Sequence, residues 1–162
     1  METIVQAKRV LEIFKEMSQI PRESGNEKGI SDYIVNFAKN LGLEAHQDEI
    51  LNVVIKKDAS LGYESRPSII IQGHIDMVCV KDHASNHDFS KDPIANIIEG
   101  EWMRADHTTL GADNGMGAAM MLAILEDESQ QHGPMQLLFT TNEETGMDGA
   151  FALKEGQVTG DY

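Results

Sequence analysis

Three consecutive isoleucines, Ile69-Ile70-Ile71, make the segment Ser68–Gln72 apolar on both faces. Alternate side chains of a strand point to opposite sides of its sheet, so such a segment needs cover on both. It reads as a central strand. A second apolar run, Met135-Gln-Leu-Leu-Phe139, makes the same demand. Helical and strand periods alternate along the rest of the chain, which predicts an α/β fold: a layered mixed sheet with helices on both faces. The first run leads into His74 and Asp76, the second into Glu143 and Glu144. Sites in open α/β sheets gather beyond the carboxyl ends of strands, and these side chains suit a metal.

In chain order, residues 3–18 put Ile4, Ala7, Val10, Leu11, Phe14 and Met17 on one helical stripe, which Pro21 ends. Ser24-Gly-Asn-Glu27 has the form of a capping box, opening a helix with Ile30, Ile34, Phe37, Ala38 and Leu41 inward and Gly42 as its stop. Leu43–Asp48 and Leu51–Lys57 read as paired strands. Residues 57–67 and 81–93 read as loops, and Ile94–Ile98 with Glu101–Ala105 as a hairpin through Glu99-Gly100. A long helix from Asn114 to about Glu126 carries Met116, Ala119, Met120, Ala123 and Ile124. Beyond the second central strand a short helix begins at Gly146–Gly149.

At 162 residues the chain is one domain by length. Its formal charge of −14 argues against nucleic acid or an anionic membrane as partner. A single cysteine, Cys79, excludes an internal disulfide framework and fits a reducing compartment. No signal peptide and no membrane-spanning apolar run is visible, so a cytoplasmic location is expected.

The ionisable residues carry the functional argument. His74 and Asp76 are two apart, hence on one face if the strand continues, where the carboxylate can orient the imidazole for a metal. A histidine with a nearby aspartate also occurs with no such role. Glu143 and Glu144 diverge on extended backbone, so one can ligate while the other meets a reacting water; a solvated acidic turn is the plain alternative. Asp113 lies in Leu110-Gly-Ala-Asp-Asn-Gly115 at a helix start, where it could simply be an N-cap. Capping does not account for the small residues around it, which imply that something approaches this backbone closely. His107, close to Asp113 in sequence, ranks below these, as do His46, His83, His87 and His132. Cys79 reads as a small core residue. One histidine with several carboxylates is an oxygen-rich donor set that zinc accepts, singly or as a carboxylate-bridged pair.

The combination Gly73-His-Ile-Asp-Met-Val78, Gly111-Ala-Asp-Asn-Gly115 and Thr141-Asn-Glu-Glu-Thr-Gly146 resembles the co-catalytic zinc exopeptidases of the aminoacylase and carboxypeptidase G type. His87-Asp-Phe-Ser-Lys-Asp-Pro93, Gly100-Glu-Trp102, Thr108-Thr-Leu-Gly-Ala-Asp-Asn-Gly115, His132-Gly-Pro134 and Gly146-Met-Asp-Gly-Ala-Phe151 narrow the resemblance to the bacterial aminoacyl-histidine dipeptidase branch. By that resemblance His74 ligates one zinc, Glu144 the other, and Asp113 both. Asp76 orients His74, and Glu143 is the general base in hydrolysis of a dipeptide substrate of Xaa-His, carnosine-like type. An amide hydrolase of aminoacylase or desuccinylase type is the second reading, and a non-catalytic binding module the third.

The chain departs from the family in length. The resemblance implies one more carboxylate and one more histidine ligand than occur here, together with a lid or dimerisation domain. Residues 1–162 are therefore expected to be the N-terminal part of the catalytic metallopeptidase domain. Alone, such a piece is expected to fold, to self-associate as a homo-oligomer, to hold zinc partially or not at all, and not to catalyse.

Overall fold

A computed structural model describes residues 2–162, with side chains from Ala7 onward. Ile4 of the predicted stripe thus lies outside the described side chains. Helix α1 spans Glu2–Met17 and buries Ile13, Phe14 and Met17 completely. The buried stripe runs through Val10, Ile13, Phe14 and Met17, which leaves Ala7 and Leu11 exposed.

Helix α2 spans Lys28–Asn40 and buries Ile30, Ile34 and Ala38, while Leu41 is exposed beyond its end. Gly42 turns the chain at φ +73°, a conformation that costs a residue without Cβ little. The capping box does not form. Glu27 occupies the N-cap position without a side-chain cap, because Ser24 and Glu27 are committed elsewhere.

Strands β1 (Glu44–Gln47), β2 (Val53–Lys57), β3 (Ile69–His74) and β6 (Met135–Thr140) form one mixed sheet in the order β1-β2-β6-β3. Only the β3–β6 pairing within it is parallel. β4 (Asn96–Glu99) and β5 (Trp102–Ala105) make the expected hairpin, turning through Gly100 at φ +63°. Helix α3 spans Ala112–Glu126, and the short helices α4 (Glu143–Gly146) and α5 (Asp148–Phe151) follow β6.

The mixed α/β sheet with helices packed against it is the one the sequence implies, but α1, α2 and α3 share one of its faces rather than covering both. Val53 pairs with Phe139 and Ile55 with Leu137, and these four side chains present one apolar face. On it sit Phe14 and Met17 of α1, Ile34 and Ala38 of α2, and Ala118, Ala119 and Leu122 of α3. Removing one methyl group there, in Ile34→Val, is expected to lower stability by about 0.5–1.5 kcal/mol, read from urea unfolding.

Ser68–Gln72 is not central. Among the described residues β3 closes one edge of the sheet, and Ile69 is 37% exposed. Its outer edge meets the last residues of the chain: Ile70 N–H donates to Tyr162 O at 2.8 Å, and Asp161 N–H donates to Ser68 O at 3.0 Å. No helix among the described residues is long and apolar enough to cross a membrane.

Candidate metal centre

The parallel register sets His74 opposite Thr140, so β3 and β6 end side by side. Ile75 N–H donates to Thr140 O at 2.9 Å, which carries the pairing one residue further and delivers Asp76 into the interior. Asp76 is fully buried. Its Oδ1 accepts from Glu143 N–H at 3.1 Å; its Oδ2 accepts from Glu144 N–H at 3.1 Å and from the Ser24 hydroxyl at 2.7 Å.

His74 is buried at the end of β3. Its Nδ1 lies 3.3 Å from Asp76 Oδ1, though off the direction of a well-aligned hydrogen bond, so the contact is chiefly ionic. Its Nε2 faces outward, 3.2 Å from Asp113 Oδ1 and 3.8 Å from Glu143 Oε2. His74, Asp113 and Glu144 each offer one donor atom, and the three lie within 4.8 Å of one another. One imidazole nitrogen and two carboxylate oxygens at that spacing fit a divalent metal ion, with Asp76 behind the imidazole.

The electrostatics match crowded carboxylates. Burial disfavours a charged His74, but Asp76, Asp113 and Glu143 outweigh it and raise the imidazole to about 9. Burial likewise opposes ionisation of Asp76, yet His74, Ser24 and the two amides hold it down at about 2. Glu144 is raised by burial and by the neighbouring carboxylates, against the pull of His74.

Two local expectations change. Asp113 is no N-cap: Gly111 takes that position at φ +71°, and Asp113 sits at an irregular first turn of α3 with its side chain 89% exposed toward His74. The Asp113–Asn114 peptide is cis. Glu143 and Glu144 are not on extended backbone either. Asn142, at φ +55°, turns the chain so that both occupy the first turn of α4 with their amides toward Asp76. His107 pairs with Asp82 and is not among the His74, Asp113 and Glu144 donors, and burial raises the Cys79 thiol to about 11.

Three supporting residues had no clear signal in the sequence. Ser24 holds Asp76, as above. Glu27, 4% exposed, accepts from Asn142 N–H at 3.0 Å and so anchors the turn that aims Glu143. Asn52 accepts from Thr141 N–H at 3.1 Å and donates to Gly149 O at 2.9 Å, tying β2 to both ends of that turn. Gly149 has no room for more: an added Cβ would lie 2.5 Å from Asn52 Oδ1 and from Thr141 O.

Residues 70–161 match the sequence profile of Peptidase family M20/M25/M40. The chain belongs to that family. It is 45% identical over 150 residues to the cytosol non-specific dipeptidase of Escherichia coli, covering 93% of this chain and 31% of the relative. The crystal structure of an aminoacylhistidine dipeptidase from Vibrio alginolyticus superposes with a TM-score of 0.91 at 43% identity, covering 94% of this chain and 31% of that one. A tripeptidase from Staphylococcus aureus superposes at 0.79 with 27% identity, over 96% of this chain and 42% of that one. The chain thus spans about a third of the length of the curated dipeptidase it matches.

Proposed function

We propose that the chain carries part of the active centre of a zinc dipeptidase with Xaa-His preference. The observation that supports this most is the convergence of His74, Asp113 and Glu144 donor atoms within 4.8 Å at the end of two parallel strands. In this reading His74, Asp113 and Glu144 would be the residues of this chain that hold zinc. When bound, zinc supplies Lewis acidity to polarise the scissile carbonyl. Asp76, at Nδ1, orients the ring so that Nε2 is the ligating atom. Glu143, 39% exposed beside that nitrogen, takes a proton from the attacking water and returns it to the leaving amine.

Residues 1–162 form, in the same proposal, the N-terminal part of the catalytic domain, since the chain covers 31% of the dipeptidase relative. Ligands and a lid or dimerisation domain from the remainder would complete the centre. A cytosolic setting and homo-oligomer formation belong to it too, and light scattering on the purified chain tests the latter.

Zinc calorimetry on the chain, with His74→Ala as control, tests the metal centre. Weak binding of at most one ion, lost in the control, and no dipeptide turnover are expected. Two tight sites with turnover would overturn the fragment reading. Absence of any binding, both in the chain and in a full-length enzyme that contains it, would overturn the metal centre. Full-length enzyme that cleaves N-acyl amino acids in preference to carnosine-like dipeptides would move the assignment to the amide hydrolases.

A further inference from the structure

Arg22 is 3% exposed, and its guanidinium is spent on backbone carbonyls. Nη1 donates to Ile75 O at 3.2 Å and Asp76 O at 3.3 Å, and Nη2 donates to Gly111 O at 2.6 Å. Its own carbonyl accepts from Met77 N–H at 3.2 Å. Burial lowers its pKa to about 10, the mark of a cation held where charge is costly. The sequence around it makes room. A Cβ on Gly111 would lie 2.5 Å from Nη2, and one on Gly115 2.6 Å from the same atom. The close approach implied by the small residues flanking Asp113 is, at Gly111 and Gly115, the approach of this guanidinium.

The carbonyls it gathers belong to two separate loops. One follows His74 and includes Asp76; the other ends two residues before Asp113. We propose that Arg22 is a positioning residue, whose planar fork clamps these loops together and so sets the distance between His74 and Asp113. Its functional meaning rests on the metal-centre reading above, but the clamp itself does not. Lysine cannot replace it, because a single ammonium on a flexible stem cannot span both loops in the fixed geometry of a guanidinium.

Arg22→Lys tests the clamp by amide hydrogen exchange on the metal-free chain. Met77 N–H and Gly115 N–H, bonded to Arg22 O and Gly111 O, report on the two loops. Both are expected to exchange at least about tenfold faster, with the β1–β2 hairpin unchanged. Zinc affinity should fall by about 10–100-fold, and the visible spectrum of the cobalt(II)-loaded chain should change as the ligand geometry relaxes. Unchanged exchange in both loops would overturn the proposal, as would acceleration spread evenly over the whole chain. If wild type binds no zinc yet both loops respond, the clamp stands and the metal-centre reading falls. If Arg22→Lys does not fold, exchange of wild type in low urea decides: Met77 and Gly115 should open as one unit with one urea dependence, and independent opening would overturn the clamp.

Discussion

Glu143→Gln in the full-length enzyme is expected to lower dipeptide turnover by about 10²–10⁴-fold while leaving zinc content unchanged. The two glutamates at the start of α4 are set apart by position. Glu144 contributes an oxygen to the compact donor group with His74 and Asp113. The Glu143 carboxylate stands 3.8 Å from His74 Nε2 and remains 39% exposed, within reach of solvent. Glutamine preserves size and leaves the main-chain bond from residue 143 to Asp76 intact, so the turn should hold its shape. What is lost is the basic oxygen. Turnover from a dipeptide assay and metal content from emission spectroscopy check this together. Activity within a few-fold of wild type would place the base elsewhere, and loss of zinc along with activity would make Glu143 a ligand. Glu144→Gln supplies the contrast, since there metal should be lost.

What could be read from the sequence is local or periodic. The paired strands before Lys57, the hairpin through Gly100 and the stop at Gly42 each rest on a run of alternating residues or a single turn-forming glycine. The meeting of His74 and Glu144 follows from two strands that both lead into ionisable residues, once they pair in parallel, and Asp113 joins them from the first turn of α3. Faces and partners are set by tertiary packing. Helix α3 is apolar nearly all round, so Met120 and Ile124 look as fit for the core as Leu122 and Leu125; packing against α1 and β3 decides, leaving Met120 50% and Ile124 39% exposed. Ile69–Ile71 are apolar enough for a central strand, but position in a sheet depends on which strands pair, and no local pattern encodes that. Ser24-Gly-Asn-Glu27 satisfies a local capping rule, yet Asp76 and Asn142 claim those side chains across the fold. A buried carboxylate and an αL turn outcompete a helix end that solvent can cap.

Asp76→Ala should damage fold and site together, because this carboxylate joins them. It is fully buried, and burial of an ionised carboxylate is tolerated only where donors surround it. Its donors are the Ser24 hydroxyl and the amides of Glu143 and Glu144, with the His74 ring alongside. Alanine strands all of them in a space that water must then enter. Removing one partner from a buried ionic contact typically costs about 3–5 kcal/mol, a loss expected here in urea unfolding of the metal-free chain. The turn into α4 should loosen and the His74 ring lose its orientation, so zinc affinity should drop by a further factor of about 10–100. Asp76→Asn separates the two effects. Its carbonyl can still accept from one amide, but its NH₂ meets the other donors head-on and carries no charge to oppose His74. Asparagine should therefore recover part of the stability while zinc affinity stays low. An unchanged urea midpoint in Asp76→Ala would mean that the carboxylate does not hold the turn, and reduced stability with full zinc affinity would leave Asp76 supporting the fold alone.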